Sequence, residues 1–110
     1  MRGLLALAAI TTTTGAPVAA HNSAYGRILF DTQGHVLYVF TADTNGKSAC
    51  HGTCAKRWPP YVRDGKQVVF KTHPLYYYVG DRRPGQILCQ NVREFGGLWL
   101  VVRPNGTPVR

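Results

Sequence analysis

Two related stretches hold the residues most able to carry chemistry. HVLYVFTAD (35–43) and HPLYYYVGD (73–81) share histidine, leucine, tyrosine and aspartate at matching places. The side chains that they place in parallel are Tyr38, Phe40 and Asp43 in the first stretch, and Tyr76, Tyr78 and Asp81 in the second. Paired carboxylates beside phenols suggest an enzyme acting on a cell-wall sugar, whereas stacked rings suggest the rim of a binding site. Each Asp also follows a predicted strand end, where its carboxylate can accept backbone N–H groups and pin the turn.

Histidines and cysteines form a second chemical set. His35 and His73 precede the two aromatic stretches at equivalent places, His51 is next to Cys50, and Cys89 lies in the second half. Imidazole and thiolate groups are ligands for Zn and Cu, so His35, His73, His51 and Cys89 define an alternative metal-binding or redox hypothesis. Their spacing is not that of a compact zinc site. The two equivalent histidines can equally be strand-start residues that hydrogen-bond locally.

Other catalytic patterns do not occur in the sequence. Ser23 and Ser48 are its only serines, and neither lies in a G-x-S-x-G nucleophile motif. No glycine-rich phosphate loop precedes a helix. We therefore expect no catalytic residue and no required cofactor, and a binding or structural module rather than an enzyme.

The elements that must position these residues are strands. Runs rich in β-branched and aromatic residues predict strands at 26–32, 35–41, 67–71, 75–79 and 98–102, separated by Gly-containing turns. A single helical turn is expected between Cys54 and Trp58, because Pro59 and Pro60 end it. The pattern predicts an all-β domain, a small antiparallel sheet or barrel-like structure.

The likeness between the two stretches extends into an internal repeat. GRILFDTQGHVLYVFTAD (26–43) aligns with KQVVFKTHPLYYYVGD (66–81) if two residues are dropped from the first turn. We expect two related hairpins, repeat one at about 26–60 and repeat two at about 66–106, that pack their apolar faces together because neither is stable alone.

The N-terminal segment and the charge suggest export. A short apolar run (4–10) leads to small residues, which predicts a signal peptide at 1–20 and one β domain at 21–110. Cleavage there would expose His21, whose amine and imidazole could chelate Cu(II). The run is too short to span a bilayer. A net charge of +8 favours anionic envelope polymers as partners, but the basic residues are scattered and indicate no specific nucleic-acid site.

With the two repeats, the segments CHGTCAKRWPP (50–60) and EFGGLWLVVRPNG (94–106) resemble the bacterial "secreted repeat of unknown function" family, predicted lipoproteins with a Y-x-(F/W/Y)-x-x-D motif. The resemblance covers the chain from about Tyr25 onward. Its motif positions fall on Tyr38, Phe40 and Asp43, and on Tyr76, Tyr78 and Asp81. It implies an exported protein, periplasmic, wall-associated or secreted, without an established activity. The lipobox of many relatives is missing here.

The cysteine pairing remains open on energy alone. A loop-entropy argument gives about 2 kcal/mol for Cys50–Cys54 and about 4 kcal/mol for Cys54–Cys89. The family pattern, in which the close pair often occurs without a third cysteine, implies the Cys50–Cys54 disulfide and leaves Cys89 unpaired. Our leading interpretation is an exported, non-enzymatic module of the cell envelope.

Overall fold

A computed structural model describes residues 17–110 and confirms the all-β class. Its strands are β1 (Ala19–Ser23), β2 (Gly26–Phe30), β3 (Tyr38–Phe40), β4 (Val62–Arg63), β5 (Lys66–Gln67), β6 (Val69–Phe70), β7 (His73–Pro74), β8 (Val92–Glu94) and β9 (Gly97–Val101). One short helix, α1 (Thr53–Arg57), lies between β3 and β4, where the sequence predicted a helical turn. Within residues 17–110, no helix has the length and apolar character needed to cross a membrane.

The strands pair in small antiparallel sheets. β1 pairs with β2, β4 with β5 and β6 with β7, while β9 lies between β3 and β8. The two-residue turn between β4 and β5 is made by Asp64 and Gly65, with φ angles of 53° and 78°. Positive φ at both positions is typical of the type I′ turn that matches strand twist. The predicted strand at 98–102 is confirmed as β9.

One of the contacts that join the two repeats is made by an equivalent residue from each. The N–H of Tyr38 donates to the carbonyl of Tyr76 at 2.8 Å, and the N–H of Tyr76 donates to the carbonyl of Tyr38 at 2.9 Å. This is a hydrogen-bonded antiparallel pair between equivalent residues. The repeats therefore share backbone hydrogen bonds as well as the face-to-face packing expected from the sequence.

Around this pair the backbone repeats itself with approximate two-fold symmetry. In each repeat, a backbone N–H of the aromatic segment donates to the carbonyl of the residue that precedes the other repeat's tryptophan. The Thr41 N–H donates to the Leu98 carbonyl and the Val79 N–H donates to the Arg57 carbonyl, both at 3.0 Å. Within the repeats, Leu37 donates to Leu29 and Leu75 donates to Val68. The segment between these two bonded residues is thus one residue shorter in the second repeat than in the first, whereas the sequence alignment suggested a difference of two residues.

The strand predicted at 75–79 is wrong, because no strand forms between β7 and β8. Tyr76 makes isolated bridges to Tyr38 and to Pro60, without a continuous ladder. Proline has no backbone N–H to donate, so the segment that contains Pro59 and Pro60 cannot pair with the chain at Tyr76 as regularly as β9 pairs with β3.

The core divides into two clusters. The aromatic cluster contains Tyr38, Phe40, Trp58, Tyr76 and Trp99, and the second cluster contains mainly aliphatic residues such as Leu37, Val39, Leu75 and Leu100. Successive residues of β3 alternate between the clusters, and all three are buried. Because a strand's side chains point alternately to opposite sides, a three-residue strand contributes to both halves of the core.

The chain before the expected cleavage position is part of the fold. β1 begins at Ala19, and Ala20 packs against the second cluster. The Tyr61 hydroxyl donates to the Pro17 carbonyl at 2.6 Å. Residues 1–16, most of the predicted signal peptide, lie outside the described residues, so its processing remains a prediction.

These contacts predict that a chain starting at Pro17 is more stable than one starting at His21. The shorter chain loses the acceptor of the Tyr61 hydroxyl and two residues of β1, which should lower the free energy of unfolding by about 1–2 kcal/mol. Urea unfolding of both chains measures this difference. Tyr61→Phe should destabilise the longer chain and leave the shorter one nearly unchanged. Equal stability of the two unsubstituted chains would contradict the role given to residues 17–20.

Candidate functional site

The tyrosines and aspartates of the two repeats bond reciprocally. The Tyr38 hydroxyl donates to Asp81 Oδ2 at 2.6 Å, and the Tyr76 hydroxyl donates to Asp43 Oδ2 at 2.7 Å. Each repeat therefore supplies the donor for the other repeat's acceptor. The structure brings together the four polar residues that the sequence singled out, as two crossed pairs.

The second oxygen of each carboxylate holds a loop. Asp43 Oδ1 accepts the Ala49 N–H at 2.7 Å, and Asp81 Oδ1 accepts the Leu88 N–H at 2.9 Å. These bonds agree with the turn-pinning role considered for the two aspartates. Since Ala49 and Leu88 are equivalent, Cys50 and Cys89 occupy corresponding places.

A third tyrosine–aspartate pair was missed by sequence reasoning. The Tyr77 hydroxyl donates to Asp31 Oδ2 at 2.7 Å. Asp31 is only 6 % exposed, and its Oδ1 accepts the N–H groups of Gln33 and His35. The available signal was an aspartate at a strand end, three residues before Gly34, a pattern typical of Asx turns.

The electrostatics keep the phenols protonated. Burial raises the pKa of Tyr38 and Tyr76 well above the ordinary value, and their carboxylate partners raise it further. Burial also raises the pKa of Asp43 and Asp81, although hydrogen bonds from Tyr76 and Tyr38 oppose that shift. The phenols are therefore hydrogen-bond donors over the physiological range, and neither is a general base.

Asp31 differs in the sign of its pKa shift. Burial opposes its ionisation, but hydrogen bonds from Tyr77 and from the His35 and Gln33 N–H groups outweigh burial and lower its pKa. Three donors to one carboxylate favour the charged form. Asp31 is thus a buried anion stabilised by donors within its own hairpin and from Tyr77.

The remaining aromatic residues form a stack inside the protein. Ring centroids are 4.0 Å apart for Phe40 and Trp99, 4.1 Å for Trp99 and Trp58, and 4.9 Å for Trp58 and Tyr78. Tyr38 and Tyr76 meet the two tryptophans edge-on. Trp58 and Trp99 are 0 % exposed, so they cannot stack on a sugar. Their geometry is that of core packing.

Glu94 satisfies the polar atoms of this stack. Its Oε1 accepts the Trp58 indole N–H at 2.9 Å and the Arg57 Nε–H at 2.8 Å. Its carbonyl accepts the Trp99 indole N–H at 3.1 Å. Burial acts to raise the pKa of Glu94, but the hydrogen bonds from Trp58 and Arg57 outweigh it and lower that pKa. Glu94 begins one of the segments that carry the family resemblance, but the sequence did not predict this role.

The cysteines follow the pairing that the family resemblance implied. Cys50 and Cys54 form a disulfide with their Cα atoms 5.3 Å apart, within the usual range. Cys89 is a free, partly buried thiol. Ser48 lies two residues before the disulfide, and its Oγ lies 2.7 Å from the Tyr76 hydroxyl and accepts the Cys50 N–H. The Cys50 backbone therefore connects the disulfide to the polar shell around Tyr76.

The metal candidates are not gathered into one ligand set. His51 Nε2 lies 3.1 Å from the Ser48 carbonyl, and the His35 ring faces Tyr77 edge-on. The other candidates are His73 on β7 and Cys89 beside the aromatic cluster. Across residues 17–110 no group of three or more His, Cys, Asp or Glu side chains is placed to hold a metal ion. The Cu or Zn hypothesis stays a prediction of the sequence.

The surface also offers no enclosed site. No ligand-sized pocket is found on the part of the chain that the structure describes. Together with the buried tryptophans and the bonded aspartates, this geometry gives no support to the sugar-enzyme hypothesis, which needs two free carboxylates in a cleft.

Fold and site define a class: a duplicated all-β module whose repeats exchange tyrosine–aspartate bonds. The family model described as "secreted repeat of unknown function" matches residues 10–61 and 62–103. The chain belongs to this family, as its motifs suggested, and the family is described as secreted. No curated protein and no solved structure matches the chain.

The crossed pairing predicts specific thermodynamic couplings. Tyr38→Phe leaves Asp81 with a buried oxygen lacking its donor, so the free energy of unfolding should fall by about 1–3 kcal/mol. Tyr76→Phe should lower the free energy of unfolding by a similar amount, because it removes the donor to Asp43. Tyr25→Phe, at a partly exposed tyrosine, should change the free energy by less than about 0.5 kcal/mol. Urea denaturation provides the measurement.

Double-mutant cycles separate exchange between repeats from a role within one repeat. Tyr38→Phe should couple to Asp81→Asn by about 0.5 kcal/mol or more and be nearly additive with Asp43→Asn. A stronger coupling to Asp43, the aspartate in the same sequence motif as Tyr38, would contradict the exchange.

The pKa shifts predict the pH dependence of stability. Asp43 and Asp81, with raised pKa values, bind protons more readily when folded. Their contribution to stability is present at low pH and is lost as the pH rises through the folded pKa. Asp31, with a lowered pKa, contributes stability above its unfolded pKa and loses it as the pH falls through the folded value.

The free energy of unfolding should therefore hold or rise as the pH falls from 7 towards about 4, the ordinary aspartate pKa, and should decrease below it. Urea unfolding over this pH series measures the profile. Asp81→Asn should reduce the rise, whereas Asp31→Asn should reduce the decrease. A steady loss of wild-type stability from pH 7 downward would show that the assigned directions are wrong.

Proposed function

We propose that the protein is a non-catalytic binding module of the cell envelope, attached to anionic polymers through an exposed cationic surface. The observation that supports this proposal is that the positive charges lie on the surface while most of the carboxylates are bonded inside the protein. The sequence has thirteen lysines and arginines against five acidic residues. Apart from Arg2, outside the described residues, every one of these cations is exposed.

The acidic residues are used inside the protein. Asp31, Asp43 and Asp81 accept tyrosine hydroxyls, and Glu94 accepts Trp58 and Arg57. The fifth, Asp64, lies in an exposed hairpin turn. Carboxylates committed to buried donors do little to neutralise cations elsewhere on the surface.

Most of the described lysines and arginines therefore have no carboxylate partner. Between residues 17 and 110 a single salt bridge is present, from Arg57 to Glu94, and its arginine is 46 % exposed. Dispersed positive charge attracts a polyanion without a shaped pocket, which agrees with the lack of a pocket on residues 17–110. The motif residues Tyr38, Asp43, Tyr76 and Asp81 then serve the scaffold, and the ligand meets lysines and arginines.

A direct test is binding to inorganic polyphosphate, a polyanion with no sugar or lipid part. Affinity measured by calorimetry should fall steeply between 50 and 500 mM NaCl, because salt screens exposed charges. Arg82→Gln/Arg83→Gln and Lys47→Gln/Lys71→Gln remove two cations each from different loops, and both should weaken binding to a similar extent.

The matched control is Asp64→Asn, which removes the turn carboxylate and should slightly strengthen binding. No measurable binding at 50 mM NaCl, or binding insensitive to salt, would show that the proposed function is wrong. Hydrolysis of a cell-wall polymer that depends on Asp43 or Asp81 would instead favour an enzyme.

A further inference from the structure

One face of the molecule combines large exposed apolar side chains with arginines. Val79 is 52 % exposed, Leu88 is 58 % exposed and Phe95 is 44 % exposed. Each is a direct chain neighbour of Tyr78, Cys89 or Glu94; Tyr78 and Glu94 contact Arg57, and Cys89 packs against the same aromatic cluster as Tyr78. We call this surface the apolar–arginine face; it consists of Arg57, Val79, Arg82, Arg83, Leu88 and Phe95.

Contacts link the residues next to the exposed apolar ones. The Arg57 guanidinium lies 5.5 Å from the Tyr78 ring centroid and bonds Glu94 at 2.8 Å. The Val79 N–H donates to the Arg57 carbonyl at 3.0 Å, and Tyr78 and Cys89 both pack against the aromatic cluster. The residues following Tyr78 and Glu94, and the residue preceding Cys89, are the three exposed apolar ones. Val79 and Phe95 each follow a residue that contacts Arg57, and Leu88 is held by Asp81, two residues after Val79, although these positions are up to 16 apart in the chain.

Two further arginines lie in the same loop. Arg82 and Arg83 are exposed and follow Val79 within four residues, and the loop returns at Leu88, whose N–H is held by Asp81. The carboxylates next to this loop are engaged, Asp81 by Tyr38 and Glu94 by Trp58 and Arg57. The face therefore presents apolar groups within a cationic rim.

We infer that the apolar–arginine face docks on the surface of an anionic lipid bilayer. The inference rests on the proposed function and specifies its partner. A polyanion alone would use the arginines and would leave Val79, Leu88 and Phe95 in water. A bilayer interface accepts both, because its head groups attract cations while the outer acyl region receives apolar side chains.

The exposed apolar residues of the chain supply a matched control. Between residues 17 and 110, six large apolar side chains are exposed, and the three outside this face are Tyr25, Val62 and Val69. The test variant is Val79→Ser/Leu88→Ser/Phe95→Ser, and the control variant is Tyr25→Ser/Val62→Ser/Val69→Ser. Both leave every charge in place. Near-ultraviolet circular dichroism and thermal melting verify that each is folded.

The experiment compares co-sedimentation with phosphatidylcholine vesicles, co-sedimentation with vesicles containing phosphatidylglycerol, and binding to inorganic polyphosphate. Wild type should bind the anionic vesicles and polyphosphate. The test variant should lose about tenfold or more in vesicle affinity and keep its polyphosphate affinity. The control variant should resemble wild type in both.

Each other outcome overturns a defined part of the argument. Polyphosphate binding without vesicle binding, or equal vesicle binding by the test variant and wild type, would refute the lipid-docking face and leave the proposed function standing. Equal loss in the test and control variants would show that the apolar contribution is not localised. Absence of both polyphosphate and vesicle binding would refute the proposed function as well.

A second measurement does not depend on the triple variant folding. Leu88→Trp places an exposed reporter at the centre of the face, while Trp58 and Trp99 stay buried. Its fluorescence should shift to shorter wavelength with anionic vesicles and be quenched by brominated lipid. Val62→Trp is the matched reporter outside the face and should remain unchanged. Equal responses at both positions, or none at Leu88→Trp, would contradict docking through this face.

Discussion

The structure depends on the exchange of tyrosine–aspartate hydrogen bonds between its repeats. Tyr38 and Tyr76 are both 0 % exposed, and each brings a hydroxyl that needs an acceptor. The acceptor comes from the opposite repeat, and its other oxygen pins a loop in that repeat. One repeat alone would hold a phenol without its acceptor and a carboxylate without its donor. Since an unpaired buried polar group costs about 1–3 kcal/mol, the exchange explains physically why the motif occurs twice.

The aromatic stack follows from the same arrangement. Edge-on packing of Tyr38 on Trp58 and of Tyr76 on Trp99 directs the two hydroxyls outward from the stack to the aspartates. The tryptophans then lie face to face across the repeat boundary, and Glu94 accepts both indole N–H groups through its side chain and its carbonyl. The hydroxyls of Tyr38 and Tyr76 and both indole N–H groups thereby have acceptors, which buried aromatic groups with N–H or O–H donors require.

Local features of the fold could be predicted from the sequence, and long-range ones could not. Turns at glycine, the helical turn before Pro59 and strand β9 depend on neighbouring residues, so composition revealed them. The partners in the crossed pairs are 43 and 33 positions apart, whereas Tyr and Asp within one motif are five apart. Sequence spacing therefore suggested a role within one repeat. Asp31 and Glu94 were missed because a single carboxylate near a turn does not show which distant tyrosine or tryptophan will reach it.

Because the motif residues hydrogen-bond to one another within the protein, the motif indicates little about function. Tyr38, Asp43, Tyr76 and Asp81 are bonded to one another, so their presence specifies the fold and leaves the ligand to other residues. Hydrogen bonds of this kind occupy four of the five carboxylates, and among the cations of residues 17–110 Arg57 alone has a salt bridge. A positive exterior is thus partly a consequence of how the interior is satisfied. What distinguishes one surface region from another is then the placement of apolar side chains among the cations.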